Sequence, residues 1–147
     1  DMVTVNNDDV SETSHKLNLD ILVAEDNVVS QTIVQALLNK IHCAFTLATD
    51  GEQVFHLFKA SLEDATIQYD VILMDCEMPR FNGFQAAARI RNYEQEQGLD
   101  RTPIIAMTAH TGANQMENLI SAGMDDNLVK PFNKFQLDAM LRKWSIN

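Results

Sequence analysis

The chain has 147 residues, enough for one domain with a full hydrophobic core and no need of staples. Its net charge of -10 excludes a protein built to grip a nucleic-acid backbone, because such a surface repels phosphate. The apolar fraction of 46% is that of an ordinary globular protein, yet no apolar run approaches the ~20 residues of a membrane span.

Residues 1–19 are acidic and show no sustained hydrophobic period, so they read as a flexible linker or tail without a signal-peptide pattern. The first residue is Asp and not Met, which suggests a piece of a longer chain or a tag scar. The domain proper is expected to span 20–147. "DILVA" (20–24) is a short run with apolar residues on both faces, hence a strand buried on two sides. Ile33, Val34, Leu37, Leu38 and Ile41 follow at helical spacing. "AFTLA" (44–48) reads as a second strand, and Asp50 with Gln53 forms a capping-box pair ahead of a helix carrying Val54, Phe55, Leu57 and Phe58. "DVILMD" (70–75) is the third strand, followed by a helix over 83–97. "PIIAMT" (103–108) is the fourth strand, and a short helix over 114–122 stops at Gly123. "NLVK" (127–130) is a weak fifth strand, and Asn133 caps a last helix with Leu137, Leu141 and Trp144 on one stripe. Five strands alternating with five helices make an α/β domain, doubly wound around a parallel sheet covered on both faces.

Ligands of such folds sit outside the carboxyl ends of the strands. Those ends carry Glu25-Asp26-Asn27, Asp75, Thr108 and Lys130-Pro131. The sequence thus predicts three carboxylates, one hydroxyl and one ammonium on a single rim. Two like charges ~4 Å apart repel by about 4 kcal/mol at an effective dielectric of about 20. Lys130 offsets one of the three negative charges, and a divalent cation would offset the rest. An all-oxygen site with open positions suits Mg²⁺. A carboxylate beside such an ion can act as a covalent phosphoryl acceptor, since phosphoryl transfer depends mostly on positioning and charge neutralisation.

"ILVAEDN", "VILMDCEMPRFNG", "AMTAH" and "LVKPF", in this order, resemble the receiver domains of two-component signalling, over about residues 20–144. The resemblance implies a flavodoxin-like sheet of strand order 2-1-3-4-5. It also implies that Asp75 takes a phosphoryl group from a phosphohistidine. Glu25 and Asp26 would hold Mg²⁺ together with Asp75 and the backbone carbonyl of Glu77. Thr108 and Lys130 would contact the phosphoryl group, and the Lys130-Pro131 bond would be cis. The implied partners are a histidine kinase core or a histidine phosphotransfer protein, with phosphorylation-linked self-association as a further option. The "EDN" and "MTAH" wording is most similar to receivers attached to hybrid sensor kinases, which implies a cytoplasmic domain with no membrane contact of its own. An isolated domain of this kind catalyses its own phosphorylation and dephosphorylation.

Some positions depart from that pattern. Asn127 stands where an aromatic switch residue is common, and Ser30 where hybrid receivers often have Asn. Glu77 and His110 flank the site. Gly83 is assigned to backbone geometry, Asp125 and Asp126 to solvated loop acids, and Phe55, Phe58 and Trp144 to the core. Cys43 and Cys76 have no CxxC or metal spacing and read as free buried thiols of a reducing compartment, and the four histidines show no metal-ligand spacing. Two other functions fit parts of the pattern. Asp75-Cys76-Glu77 faintly imitates the strand end of haloacid-dehalogenase phosphatases, but the acidic pair then comes first in the chain instead of last. A non-phosphorylated interaction module or flavin binder on the same fold is the other, against which stand the full acid, Thr and Lys set and the lack of any glycine-rich phosphate loop.

Overall fold

The computed structural model describes residues 17–64, 67–78, 82–109, 112 and 114–145. Among these, β1 (Asp20–Ala24), β2 (Ala44–Ala48), β3 (Val71–Asp75), β4 (Ile104–Thr108) and β5 (Asp126–Val129) form one sheet. All neighbours pair parallel, in the order β2-β1-β3-β4-β5. The helices between and after them are α1 (Val28–Lys40), α2 (Gly51–Asp64), α3 (Gly83–Gln97), α4 (Gln115–Ser121) and α5 (Lys134–Ser145). The strand and helix ends lie within a residue or two of those expected.

Side chains alternate across a strand, so each central strand feeds two cores. Leu22, Ile72, Met74, Ile104 and Ala106 face α2, α3 and α4. Ile21, Val23, Leu73, Ile105 and Met107 face α1 and α5, where Val34, Leu38, Leu137 and Leu141 meet them. β1, β3 and β4 are therefore apolar at nearly every position, because each of their faces is covered. Leu17 is already buried against the second core, ahead of the Asp20 boundary, while residues 1–16 of the expected tail lie outside the described residues.

Helix starts are set by side-chain caps. Asn27 accepts from Ser30 N at the head of α1. Asn82 and Gln85 cap α3 reciprocally, as Asn133 and Gln136 cap α5. Asp50 accepts from Gln53 N as expected, but the returning Gln53 side chain takes the N–H of Thr49. Gly98 closes α3 in the left-handed region, at φ 65°.

Two expectations are corrected. Ile33 belongs to the helical stripe by spacing, yet it is 52% exposed, while Val34 and Leu38 are buried and Leu37 packs partly buried against the same core. Asp125 and Asp126 are not solvated loop acids. Asp125 accepts from Arg91, Arg101 and the backbone N–H of Ile104. Asp126 accepts from Lys143, from the Trp144 indole and from the N–H of Asn127.

The sheet order fixes where the site lies. From β1 the chain steps outward to β2, then returns to β3 on the other side of β1. The crossovers on the two sides leave in opposite directions, and a crevice opens beyond the carboxyl ends of β1 and β3. The pairing of Ala24 with Met74 then sets Glu25 beside Asp75.

Candidate functional site

Each strand-end residue named from the sequence comes to this crevice. Glu25, Asp26, Asp75, Thr108, Lys130 and the exposed Glu77 all line a cavity of about 260 Å³. Glu25 is 1% exposed, and its carboxylate accepts from Lys130 Nζ at 2.7 Å and from Asn27 N at 3.2 Å. The Glu25 backbone is pinned as well, with its N–H on Ala48 O and its carbonyl on Gln31 Nε2. Asp75 is 5% exposed and accepts from Glu77 N at 3.1 Å. Lys130 Nζ lies 3.6 Å from Asp75 Oδ1, so one ammonium bridges the two acids. One carboxylate oxygen from each of Glu25, Asp26 and Asp75 falls within 4.8 Å of the others.

Lys130 reaches the crevice from beyond the end of β5. Its N–H donates to Thr108 O at 2.6 Å, and the bond to Pro131 that follows is cis. Thr108 ends β4 and is 4% exposed, with its hydroxyl donating to Asn127 Oδ1 at 2.6 Å. Gly83 opens α3 directly against β3. A Cβ there would overlap the carbonyl oxygen of Asp75 and come within 3.1 Å of Cys76 Cα, so only glycine lets α3 begin so close to the acid. His110 lies outside the described residues.

The electrostatics follow from this crowding. Burial pushes the Asp75 carboxyl up from 3.8 to about 7. The hydrogen bond and negative charge of Glu25 add to the rise, while the Glu77 N–H and the Lys130 charge oppose it. Burial would lower Lys130, but the hydrogen bond it donates to Glu25 and the charges of Asp75 and Glu25 outweigh it and hold the ammonium above its ordinary value. Burial also lifts the Cys76 thiol to about 12, with help from the charge of Asp75. A thiol so high is almost never a thiolate, so Cys76 is packing and not a nucleophile. Cys43 and Cys76 are both free and buried, as expected.

Three oxygen ligands on adjacent strand ends, one of them raised to about 7 chiefly by burial, suit a hard divalent cation. The sequence pattern of the response regulator receiver domain matches residues 21–142. The chain belongs to this family. Among curated proteins the receiver is 39% identical, over 122 residues, to probable histidine kinase 2 of Oryza sativa subsp. indica. The match covers 78% of this chain but 12% of that protein, so the chain spans a small part of the relative's length. Among solved structures it resembles the receiver domain of a sensor histidine kinase from Pseudomonas aeruginosa PAO1, crystallised with magnesium in its active-site cleft. The identity is 37% and the TM-score 0.70, with 88% of this chain and 98% of that one covered. It also resembles a co-crystal structure of the Saccharomyces cerevisiae phosphotransfer protein Ypd1 and the receiver domain of Ssk1. There the identity is 28% and the TM-score 0.75, with 87% and 89% covered. Family membership sets aside the dehalogenase-type phosphatase and the flavin binder. Two contacts beside the cavity are not readable from the sequence, that of Gly83 with the Asp75 carbonyl and that of Asn127 with Thr108.

Proposed function

We propose that this receiver takes a phosphoryl group from a phosphohistidine onto Asp75 and relays a two-component signal. The observation that carries the reading is the convergence of three carboxylate oxygens within 4.8 Å, with one ammonium bridging Glu25 and Asp75. The donor set of Glu25, Asp26 and Asp75, joined by the backbone carbonyl of Glu77, fits Mg²⁺. When bound, that ion would neutralise the carboxylates and hold a phosphoryl oxygen.

The chain's own groups do the rest. Asp75 supplies the attacking oxygen. A new O–P bond forms as the P–N bond of the donor breaks, and the electron pair of that bond leaves on the imidazole nitrogen. Lys130, positive throughout, stabilises the negative charge on the transferring oxygens. The Thr108 hydroxyl can donate to a further oxygen. Glu77 N–H keeps Asp75 oriented toward the opening.

The donor must approach over the open rim, and that rim is bordered by Val28, Val29 and Ile33 of α1, which are 72%, 66% and 52% exposed. A shallow groove lined by Ile33, Val34, Pro131 and Phe132 continues this apolar surface. A histidine phosphotransfer protein or a kinase core that covers this patch brings its histidine to Asp75. The free buried thiols support placement in the cytoplasm. Among the described residues no helix is long and apolar enough to cross a membrane. The similarity to hybrid histidine kinases supports a parent of that kind.

Incubation with Mg²⁺ and acetyl phosphate should add one phosphoryl group by intact mass, and Asp75→Asn should take up none. An unmodified mass for the native chain under those conditions would overturn the proposal.

A further inference from the structure

The turn from β1 into α1 consists of Glu25, Asp26 and Asn27, and the first two belong to the cluster of acids. It is held at several points. The N–H of Glu25 donates to Ala48 O at 3.0 Å, and the N–H of Asn27 donates to Glu25 Oε2 at 3.2 Å. A further tie comes from beyond the turn. Gln31, half-buried near the head of α1, reaches back along the chain, and its Nε2 donates to the Glu25 carbonyl at 2.8 Å. A carbonyl only accepts, so the side-chain amide presents its NH₂ end.

This bond has leverage on the site. The Glu25 carbonyl lies in the same rigid plane as the nitrogen and Cα of Asp26. Whatever fixes the direction of that carbonyl therefore fixes where Asp26 begins, and with it where its carboxylate sits in the cluster. Glu25 and Asp75 have side-chain partners of their own in Lys130 Nζ and the Glu77 N–H. Asp26 is only half-buried, and the backbone that carries it is what Gln31 holds.

We propose that Gln31 is a positioning residue of the cation site: by holding the Glu25 carbonyl it sets the Asp26 carboxylate at the spacing that Mg²⁺ needs, and so tunes the site toward Mg²⁺ and against larger divalent ions. This rests on the reading of Glu25, Asp26 and Asp75 as Mg²⁺ ligands. The direction follows from the chemistry of the ions. Mg²⁺ demands near-ideal octahedral oxygens at about 2.0–2.1 Å, whereas Ca²⁺ accepts irregular sets at about 2.3–2.6 Å. A turn released from Gln31 lets Asp26 drift, which costs the smaller ion more than the larger. Gln31 is not among the residues that line the cavity, and it acts only through the Glu25–Asp26 peptide.

The test uses two substitutions that keep the length of the side chain and remove its donor, Gln31→Met and Gln31→Glu. Mg²⁺ and Ca²⁺ are titrated separately into each full chain, and binding is read from the rise in Tm with ion concentration, which gives Kd whatever the stability of the metal-free chain. Loss of a partner behind a metal ligand costs about 10- to 100-fold in affinity, and because Gln31 acts through backbone the lower end is expected, about 10-fold for Mg²⁺ in both variants. Ca²⁺ should weaken less than about threefold, since its geometry is more forgiving. Gln31→Glu adds a negative charge that by itself would tighten both ions, so weaker Mg²⁺ binding in that variant traces to the lost donor. Phosphoryl uptake from acetyl phosphate should need about 10-fold more Mg²⁺ for half its maximal rate yet come within about twofold of the native rate at saturation, a split that a general loss of stability would not produce. If Mg²⁺ binds both variants as it binds the native chain, or if Mg²⁺ and Ca²⁺ weaken equally, the role of Gln31 is overturned and the cation site stands. A native chain that binds no Mg²⁺ overturns the site itself and this inference with it.

Discussion

Burial and the neighbouring Glu25 penalise the charge of Asp75, and replacing it with asparagine should stabilise the metal-free protein. Its carboxyl titrates near 7 in place of 3.8, chiefly because it is buried, then because Glu25 is beside it. Each pH unit that a pKa moves corresponds to about 1.4 kcal/mol. Ionised Asp75 therefore costs the folded state up to about 4 kcal/mol relative to the unfolded chain. The crevice is open to water, and screening brings the expected figure nearer to about 2 kcal/mol. Asp75→Asn removes the charge, keeps the shape, and retains an oxygen for the Glu77 N–H. At pH 8 in EDTA the variant should thus be more stable by about 2 kcal/mol, a rise in Tm of roughly 6 °C for a domain of this length. The sign of the pH dependence follows from the raised pKa. The cost is absent below the unfolded value of 3.8, builds as the pH rises from there, and is complete above about 7. The stability gap between variant and native should therefore close between pH 7 and pH 4. Added Mg²⁺ should narrow the gap at pH 8 as well, by stabilising the native chain more than the variant. Urea unfolding followed by circular dichroism, at three pH values with and without Mg²⁺, measures all of this. A variant no more stable than native at pH 8 in EDTA, or a gap that does not move with pH, would refute the reasoning.

Three other substitutions separate the site from its support. Gly83→Ala pushes a methyl into the Asp75 carbonyl, and because the obstacle is backbone the cost should reach the upper part of the overpacking range, about 3 kcal/mol, with phosphoryl uptake slowed at least tenfold. Arg91→Ala strips the buried Glu94 and Asp125 of a shared cation, which should cost about 3 kcal/mol by urea unfolding while the phosphorylation rate stays within about twofold of native. Asp126→Asn loses part of the bonding to Lys143 and Trp144, about 1 kcal/mol at pH 7. Burial raises the Asp126 pKa, but the hydrogen bonds from Lys143 and Trp144 outweigh it and hold the carboxyl below its ordinary value. The stability that Asp126 supplies is therefore present above the unfolded pKa and lost as the pH falls through the folded one, so this variant and the native chain should converge in acid.

The sheet was legible because a strand covered on two faces has to be apolar at nearly every position, as "VILMD" and "IIAMT" are. The rim was legible for a related reason. A polar residue that interrupts such a run at its carboxyl end has one place to go, and topology brings those ends together. What escaped depends on partners far apart in sequence. Asp125 meets Arg91 across 34 positions and Asp126 meets Trp144 across 18, so both look like loop acids until the helices are packed. The bond from Thr108 to Asn127 needs the register of β4 on β5, which no local pattern specifies. The Asn82–Gln85 capping box, by contrast, was open to a reading from its N-x-x-Q spacing alone.

The two ends of the sheet show why the rim is a site and not simply a buried polar cluster. At the amino ends of β4 and β5, Glu94 and Asp125 meet Arg91 and Arg101 at 2.8 Å contacts. Two acids face two bases, and Glu94 and Asp125 also accept from the N–H groups of Thr102 and Ile104. Charge and hydrogen bonds both balance there, and Glu94 stays buried at 4% exposure. At the carboxyl ends, among the described residues, Lys130 pairs with Glu25 and Asp75, and Asp26 belongs to the same cluster of acids. With all groups ionised, Glu25, Asp26, Asp75 and Lys130 sum to two negative charges, and Asp75, raised first by burial and then by Glu25, holds its proton until about pH 7. Among the described residues the rim is short of cations, and an unpaired buried charge is among the costliest defects a fold can carry. For Glu25, Asp26, Asp75 and Lys130 alone the difference is the charge of one divalent ion. The same imbalance that weakens the empty domain is thus what lets it recruit a cation and, through it, a phosphoryl group.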